Sequence, residues 1–128
     1  MKLKDKKIAI LGTGANGSCA AADITSAGYD VELFDQWPEH VNCMNHDGLT
    51  INLPNETKNI AVRANHLCTL AEMNKKFDYV FLFVKAYDTK WITRLIEPYL
   101  ASDGILVGVQ NAMTAERISN IVGAERTI

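Results

Sequence analysis

The chain has 128 residues, 48% hydrophobic and 22% charged, the composition expected of one soluble globular domain and not of a disordered, collagenous or coiled-coil segment. Thirteen Lys and Arg against fifteen Asp and Glu leave a net charge of −2 and a pI near 5.9, so no basic field invites a nucleic-acid backbone. The longest apolar run, Tyr79 to Val84, falls far short of the roughly 20 residues that cross a bilayer, and Ile8 to Leu11 is too short for a secretory signal, so a cytoplasmic protein without membrane association is expected.

Cys19, Cys43 and Cys68 are odd in number, widely spaced and without a C-x-x-C pair; they imply neither a disulfide framework nor a zinc site, and buried or idle thiols are expected. In chain order, Lys7 to Leu11 predicts a strand, and Ala15 to Ala27 a helix closed by Gly28. Asp30 to Phe34 alternates as a second strand. Gln36 to Asn65 is less regular, with a short helix before Asp47-Gly48 and then Leu49 to Leu53 and Ile60 to Ala64 as a small β excursion around Pro54-Asn55.

A short helix near Leu67 to Met73 precedes Asp78 to Val84, a continuous apolar run that predicts a central strand buried on both faces. Thr89 to Leu100 reads as an amphipathic helix with Trp91, Leu95 and Ile96 facing inward, Gly104 to Val109 as the next strand, and Met113 to Val122 as a further helix. Parallel neighbours need crossovers of this length, so the alternation predicts an α/β Rossmann-type doubly wound parallel sheet with helices on both faces. The whole of 1–128 forms one dinucleotide-binding domain in this reading. The beginnings of a sixth strand at Glu125 to Ile128 suggest the amino-terminal part of a longer two-domain enzyme.

Gly12-Thr13-Gly14-Ala15-Asn16-Gly17 fits G-x-G-x-x-G, a weak signal alone. Here it follows an apolar strand, opens an Ala-rich helix, and is trailed by Asp35, 18 residues after Gly17, at the end of the second strand. Gly12 permits the tight turn, Gly14 lets the backbone approach a pyrophosphate, and Gly17 allows close packing of helix on strand. The helix N-terminus offers its free N–H groups to phosphates. Asp35 sits where a carboxylate would accept bonds from the adenosine ribose hydroxyls and would repel a 2′-phosphate. Between Lys7 and Lys58 there is no Lys or Arg but there are seven acidic residues, so NAD is favoured over NADP. The bland alternative for Asp35 is a turn residue before Trp37-Pro38. Trp37 and Met44 are candidates for the adenine side, with local packing as the alternative. His40, His46 and His66 lack metal-ligand or triad spacing and read as surface or loop residues.

The glycine loop together with Ala27-Gly28-Tyr29-Asp30-Val31, Gly48-Leu49-Thr50-Ile51, Val84-Lys85-Ala86-Tyr87-Asp88-Thr89 and Gln110-Asn111 resembles the amino-terminal half of the ketopantoate reductase family, over nearly the whole chain and in the family's order. The resemblance implies hydride transfer from NAD(P)H to a small-molecule 2-oxo acid, as in 2-dehydropantoate to pantoate for pantothenate biosynthesis, with a helical second domain. It implies that Lys85 reaches the cofactor and substrate side of the cleft and that Asn111 hydrogen-bonds both, each supporting catalysis, while a lysine of the second domain supplies the proton. The chain alone would then be inactive. It is compatible with a homodimer. Two departures stand out: Asp35 where the family usually has an Arg for the NADP phosphate, and Ala112 where it usually reads Gln-Asn-Gly. They point to an NAD-dependent D-2-hydroxyacid dehydrogenase of the same family as an alternative. A non-catalytic NAD(H)-sensing module is a second.

Overall fold

The structure, a computed structural model, describes residues 2–128. Its elements are β1 (Lys7–Leu11), α1 (Ala15–Ser26), β2 (Asp30–Asp35), α2 (Pro38–Asp47), β3 (Leu49–Asn52), β4 (Thr57–Ile60), β5 (Ala64–His66), β6 (Phe77–Leu82), α3 (Thr89–Ile96), β7 (Leu100–Gly108) and α4 (Ala115–Val122). Five strands form one parallel sheet in the order β5-β2-β1-β6-β7, and β3 and β4 pair as a separate antiparallel hairpin. This is the doubly wound α/β sheet that the alternation predicts. Beside β7, Thr127 bridges Leu106 in parallel, and the Gly108 amide donates to the Ile128 carbonyl at 2.8 Å.

Side-chain alternation along β1 divides the core in two. Ala9 and Leu11 face a cluster that includes Ile92 and Ile96 of α3 and Ile118 and Val122 of α4. Ile8 and Ile10 face the opposite cluster, with Ala21 and Ala22 of α1 and Val41 and Met44 of α2. The small Ala-rich face of α1 lets that helix lie close to the sheet, and close approach is what the glycine loop needs. A Cβ on Gly17 would stand 1.9 Å from the Gly12 carbonyl oxygen, a contact no side chain can make.

Several expectations are corrected. The buried stripe of α3 is Thr89, Ile92, Thr93 and Ile96, at i, i+3, i+4 and i+7, so Trp91 lies off it and is 42% exposed. Both threonines satisfy their hydroxyls within the helix and its cap, Thr89 Oγ1 to the Ala86 carbonyl and Thr93 Oγ1 to the Thr89 carbonyl, which lets polar residues hold buried positions. Met113 does not open the last helix; α4 begins at Ala115 and Met113 is 96% exposed. Met44 belongs to the core and not to an adenine site. The β excursion is present, but its return strand is β4 at Thr57–Ile60, and Ala64 instead begins an edge strand of the main sheet, where its amide donates to Asn45 Oδ1 on α2. Of the two readings for the cysteines, burial is the one that fails: all three are free and exposed.

Replacing Gly17 by Ala should destabilise the domain by at least the ~1–3 kcal/mol typical of overpacking, because the obstacle is backbone and cannot rotate away. Urea unfolding of the two proteins measures it.

Candidate functional site: a cleft at the carboxyl edge of the sheet

The carboxyl ends of β1, β2 and β6 open into a cleft of about 800 Å³, walled by the glycine loop, Asp35 to Trp37, the hairpin residues Thr50 to Asn52, and Val84, Lys85, Tyr87, Asp88 and Trp91. A crevice outside the strand ends is where an open α/β sheet binds ligands.

Thr13 organises the loop. Its amide and hydroxyl both donate to Asp35 Oδ2, at 2.9 and 2.7 Å, and its carbonyl accepts from Ser18 Oγ at 2.9 Å. The same carbonyl lies 2.9 Å from His40 Nε2, and because a carbonyl only accepts, Nε2 carries the proton. One residue thus ties β1, α1, β2 and α2 together. Asp35 is 8% exposed, and its Oδ1 accepts from the Trp37 amide at 3.0 Å. Burial pushes the Asp35 carboxyl up, but the Thr13 amide and hydroxyl, the Trp37 amide and the neighbouring His40 outweigh it and hold the group below its usual value. Basic side chains that follow Asp35 in the chain are paired elsewhere: Lys58 with Glu56, Arg63 with Asp30 at the start of β2, and Lys75 with Glu32.

Gly12 adopts φ +94, and a Cβ there would press on the Phe83 carbonyl group at 3.0–3.1 Å. Gly14 is the opposite case. A Cβ at Gly14 meets nothing within 4 Å, so this backbone borders open space in the cleft. Gly14 is also the N-cap of α1 and no side chain caps the helix, which leaves the amides of its first turn without the usual side-chain acceptor. Ala15 lines the cleft beside it, as do Ser18 and Cys19 further along α1, whereas Asn16 and Gly17 do not.

Lys85 is exposed on the cleft wall, just beyond β6, with no ion pair among the described residues. Asn111 lies on the exposed loop after β7, at the same sheet edge but outside the cleft lining, so the structure does not bring it together with Lys85. Its neighbour Gln110 spans that gap, donating to Thr89 Oγ1 at 2.8 Å and accepting from Thr114 Oγ1 at 3.0 Å. The sequence reads His40 as a surface or loop residue, but it stands half-buried on α2 in the cleft lining, a place set only once α2 is folded against the loop. Ala112, the departure from Gln-Asn-Gly noted in the sequence, holds φ 155, in the region that favours glycine.

Two outcomes follow from this geometry. Because Asp35 titrates below 3.8 when folded, it adds stability that is present above that value and is lost as the pH falls through the folded-state value. The stability cost of Asp35→Asn, read by urea unfolding, should therefore be largest near neutrality and shrink below pH 3.8. Ala112→Gly should stabilise by about 1 kcal/mol, since relief of about 1–3 kcal/mol of backbone strain exceeds the ~0.4–1 kcal/mol that glycine costs through the unfolded chain.

Comparison with known proteins identifies the family. The family model described as ketopantoate reductase PanE/ApbA matches residues 8–128. A 2-dehydropantoate 2-reductase of Lactococcus lactis is 32% identical over 96 residues, covering 73% of this chain and 30% of its own. One from Nostoc is 29% identical over 114 residues, covering 89% and 34%. The chain thus spans about a third of the length of the curated relatives it matches. A D-mandelate dehydrogenase solved with NADH and anilino(oxo)acetate superposes with a TM-score of 0.83 at 26% identity, over 94% of this chain and 38% of that one. With a glycine loop at the head of a parallel sheet and a family match over nearly its whole length, the chain belongs to the ketopantoate reductase family of oxidoreductases and forms that family's NAD(P)-binding domain.

Proposed function

We propose that the cleft holds NAD in preference to NADP, with the pyrophosphate over Gly12 to Gly17, and that the full protein reduces a 2-oxo acid, 2-dehydropantoate in the first instance. The observation that carries this reading is the pairing of an open, uncapped Gly14 edge with a buried, ionised Asp35 in one cleft. Gly14 and Ala15 would present amides to the phosphates. Asp35 Oδ1 has one amide donor and room for a ribose hydroxyl, while Oδ2 is committed to Thr13. A 2′-phosphate would meet a carboxylate with no Lys or Arg paired to it among the described residues.

When bound, the nicotinamide supplies the hydride. The ammonium of Lys85 can attract the substrate carboxylate or hold the cofactor ribose, and Asn111 would join it by movement of the exposed loop that carries it. Neither protonates the developing alkoxide. That proton comes from a second domain following this one, as the family resemblance implies, so residues 1–128 bind cofactor without turnover. A second reading, an NAD-dependent D-2-hydroxyacid dehydrogenase acting on branched or aromatic 2-oxo acids, is favoured by Asp35 and by the NADH complex of the mandelate dehydrogenase neighbour. Comparing 2-dehydropantoate with benzoylformate as substrates of the full protein decides between them.

Gly14→Leu should abolish NADH binding in calorimetry with the circular dichroism spectrum unchanged, because the added side chain fills only the open space. Asp35→Arg should narrow or reverse the preference for NADH over NADPH; a wild-type protein that binds NADPH more tightly contradicts the assignment. In the full protein, Lys85→Ala and Asn111→Ala should lower turnover by more than they weaken NADH binding, read as steady-state NADH oxidation beside cofactor titration.

A further inference from the structure

On the opposite side of α3 from the core, a second cavity of about 530 Å³ runs between α3 and α4, lined by Tyr87, Lys90, Arg94, Arg117, Asn120 and Ile121. Lys90 and Arg94 are one turn apart on α3, and Arg117 faces them from α4 one turn before Asn120 and Ile121. Three cations therefore converge in one groove of a chain whose net charge is −2. None of the three is in an ion pair among the described residues, and no carboxylate lines the groove. Like charges one turn apart repel, so the arrangement costs stability unless an anion enters.

The groove is also partly organised. Arg117 Nη1 donates to the Ala86 carbonyl at 3.1 Å, which pins the guanidinium across the helix pair and leaves its other N–H donors to be filled. Two guanidinium forks with an ammonium suit the oxygens of a phosphate, and an arginine offers these in a fixed plane. The Tyr87 ring and Ile121 add an apolar wall, and the volume exceeds a lone phosphate. Tyr87 lines the cofactor cleft as well, so the two cavities share a side chain.

We propose that the α3–α4 groove is a binding site for a small phosphorylated anion, separate from the pyrophosphate site at the glycine loop. Arg94 and Arg117 bind its oxygens in forked pairs, Lys90 adds charge, and Asn120 donates a further hydrogen bond. This does not rest on the cofactor assignment.

The test uses the full chain carrying Gly14→Leu, which removes the glycine loop as a competing phosphate site, and inorganic pyrophosphate as the probe. Calorimetry should show one site, and thermal unfolding should shift upward with pyrophosphate at ionic strength matched by sodium chloride. The further substitutions Arg94→Gln and Arg117→Gln should together weaken binding at least tenfold and remove the upward shift that pyrophosphate produces. Absence of binding, or binding unaffected by the two substitutions, overturns the proposal. So does an acidic peptide such as oligoglutamate binding more tightly than pyrophosphate, which would make the groove a protein-docking surface. Failure of NADH to bind the chain with glycine at position 14 leaves this outcome untouched and counts only against the cofactor reading.

Discussion

The hydrogen bonding of Thr13 to Asp35 is the constraint from which the carboxyl edge of the sheet is built. A carboxylate at the end of β2 that is almost withdrawn from water costs several kcal/mol if left bare. Three donors answer it, two of them from Thr13, and charge-assisted bonds of this kind contribute about 1.5–3 kcal/mol each. Burial raises the Asp35 carboxyl and the donors lower it, and the donors prevail. With its amide and hydroxyl spent on β2, Thr13 turns its carbonyl to Ser18 and His40, so α1 and α2 are fastened to the same residue.

That anchoring sets what the glycines must do. Gly12 and Gly17 are compelled by crowding: one by its positive φ against Phe83, the other by the Gly12 carbonyl oxygen, which lies 1.9 Å from where a Cβ on Gly17 would stand. Gly14 is under no such demand from the protein, and its openness is a property of the cleft. The division separates residues that hold the fold from the one whose absent side chain leaves room for a ligand. It also explains why the hairpin β3–β4, outside the main sheet, matters: Thr50 to Asn52 close the side of the cleft that the parallel sheet leaves open.

The parts of this architecture legible in the sequence are those dictated by local chemistry. The apolar runs of β1 and β6, the glycine spacing and the acid at the end of β2 each announce themselves over a few residues. What escaped is tertiary. Trp91 reads as core because it is large and apolar, yet Thr89 and Thr93 take the buried stripe once their hydroxyls bond to carbonyls one turn back. Ile60 to Ala64 reads as one strand, but Ile60 ends the hairpin and Ala64 enters the main sheet, a division set by pairing partners far along the chain. His40 carries no motif, and its contact with Thr13 exists only because α2 packs over the loop. The basic groove arises from residues 27 positions apart in the chain, Lys90 and Arg117, whose neighbours in sequence give no sign of a shared cavity.

Under the proposed function, Thr13 preorganises the glycine loop for a dinucleotide by holding Asp35. Thr13→Val keeps the shape and removes the hydroxyl donor, and Thr13→Ser restores it, so NADH titration of the two variants beside the unmodified chain isolates the interaction. The valine variant, folded by circular dichroism, should bind NADH about tenfold more weakly, equivalent to about 1.4 kcal/mol, and the serine variant should recover most of the loss. A folded valine variant that binds NADH as tightly as the unmodified chain would contradict this role of Thr13.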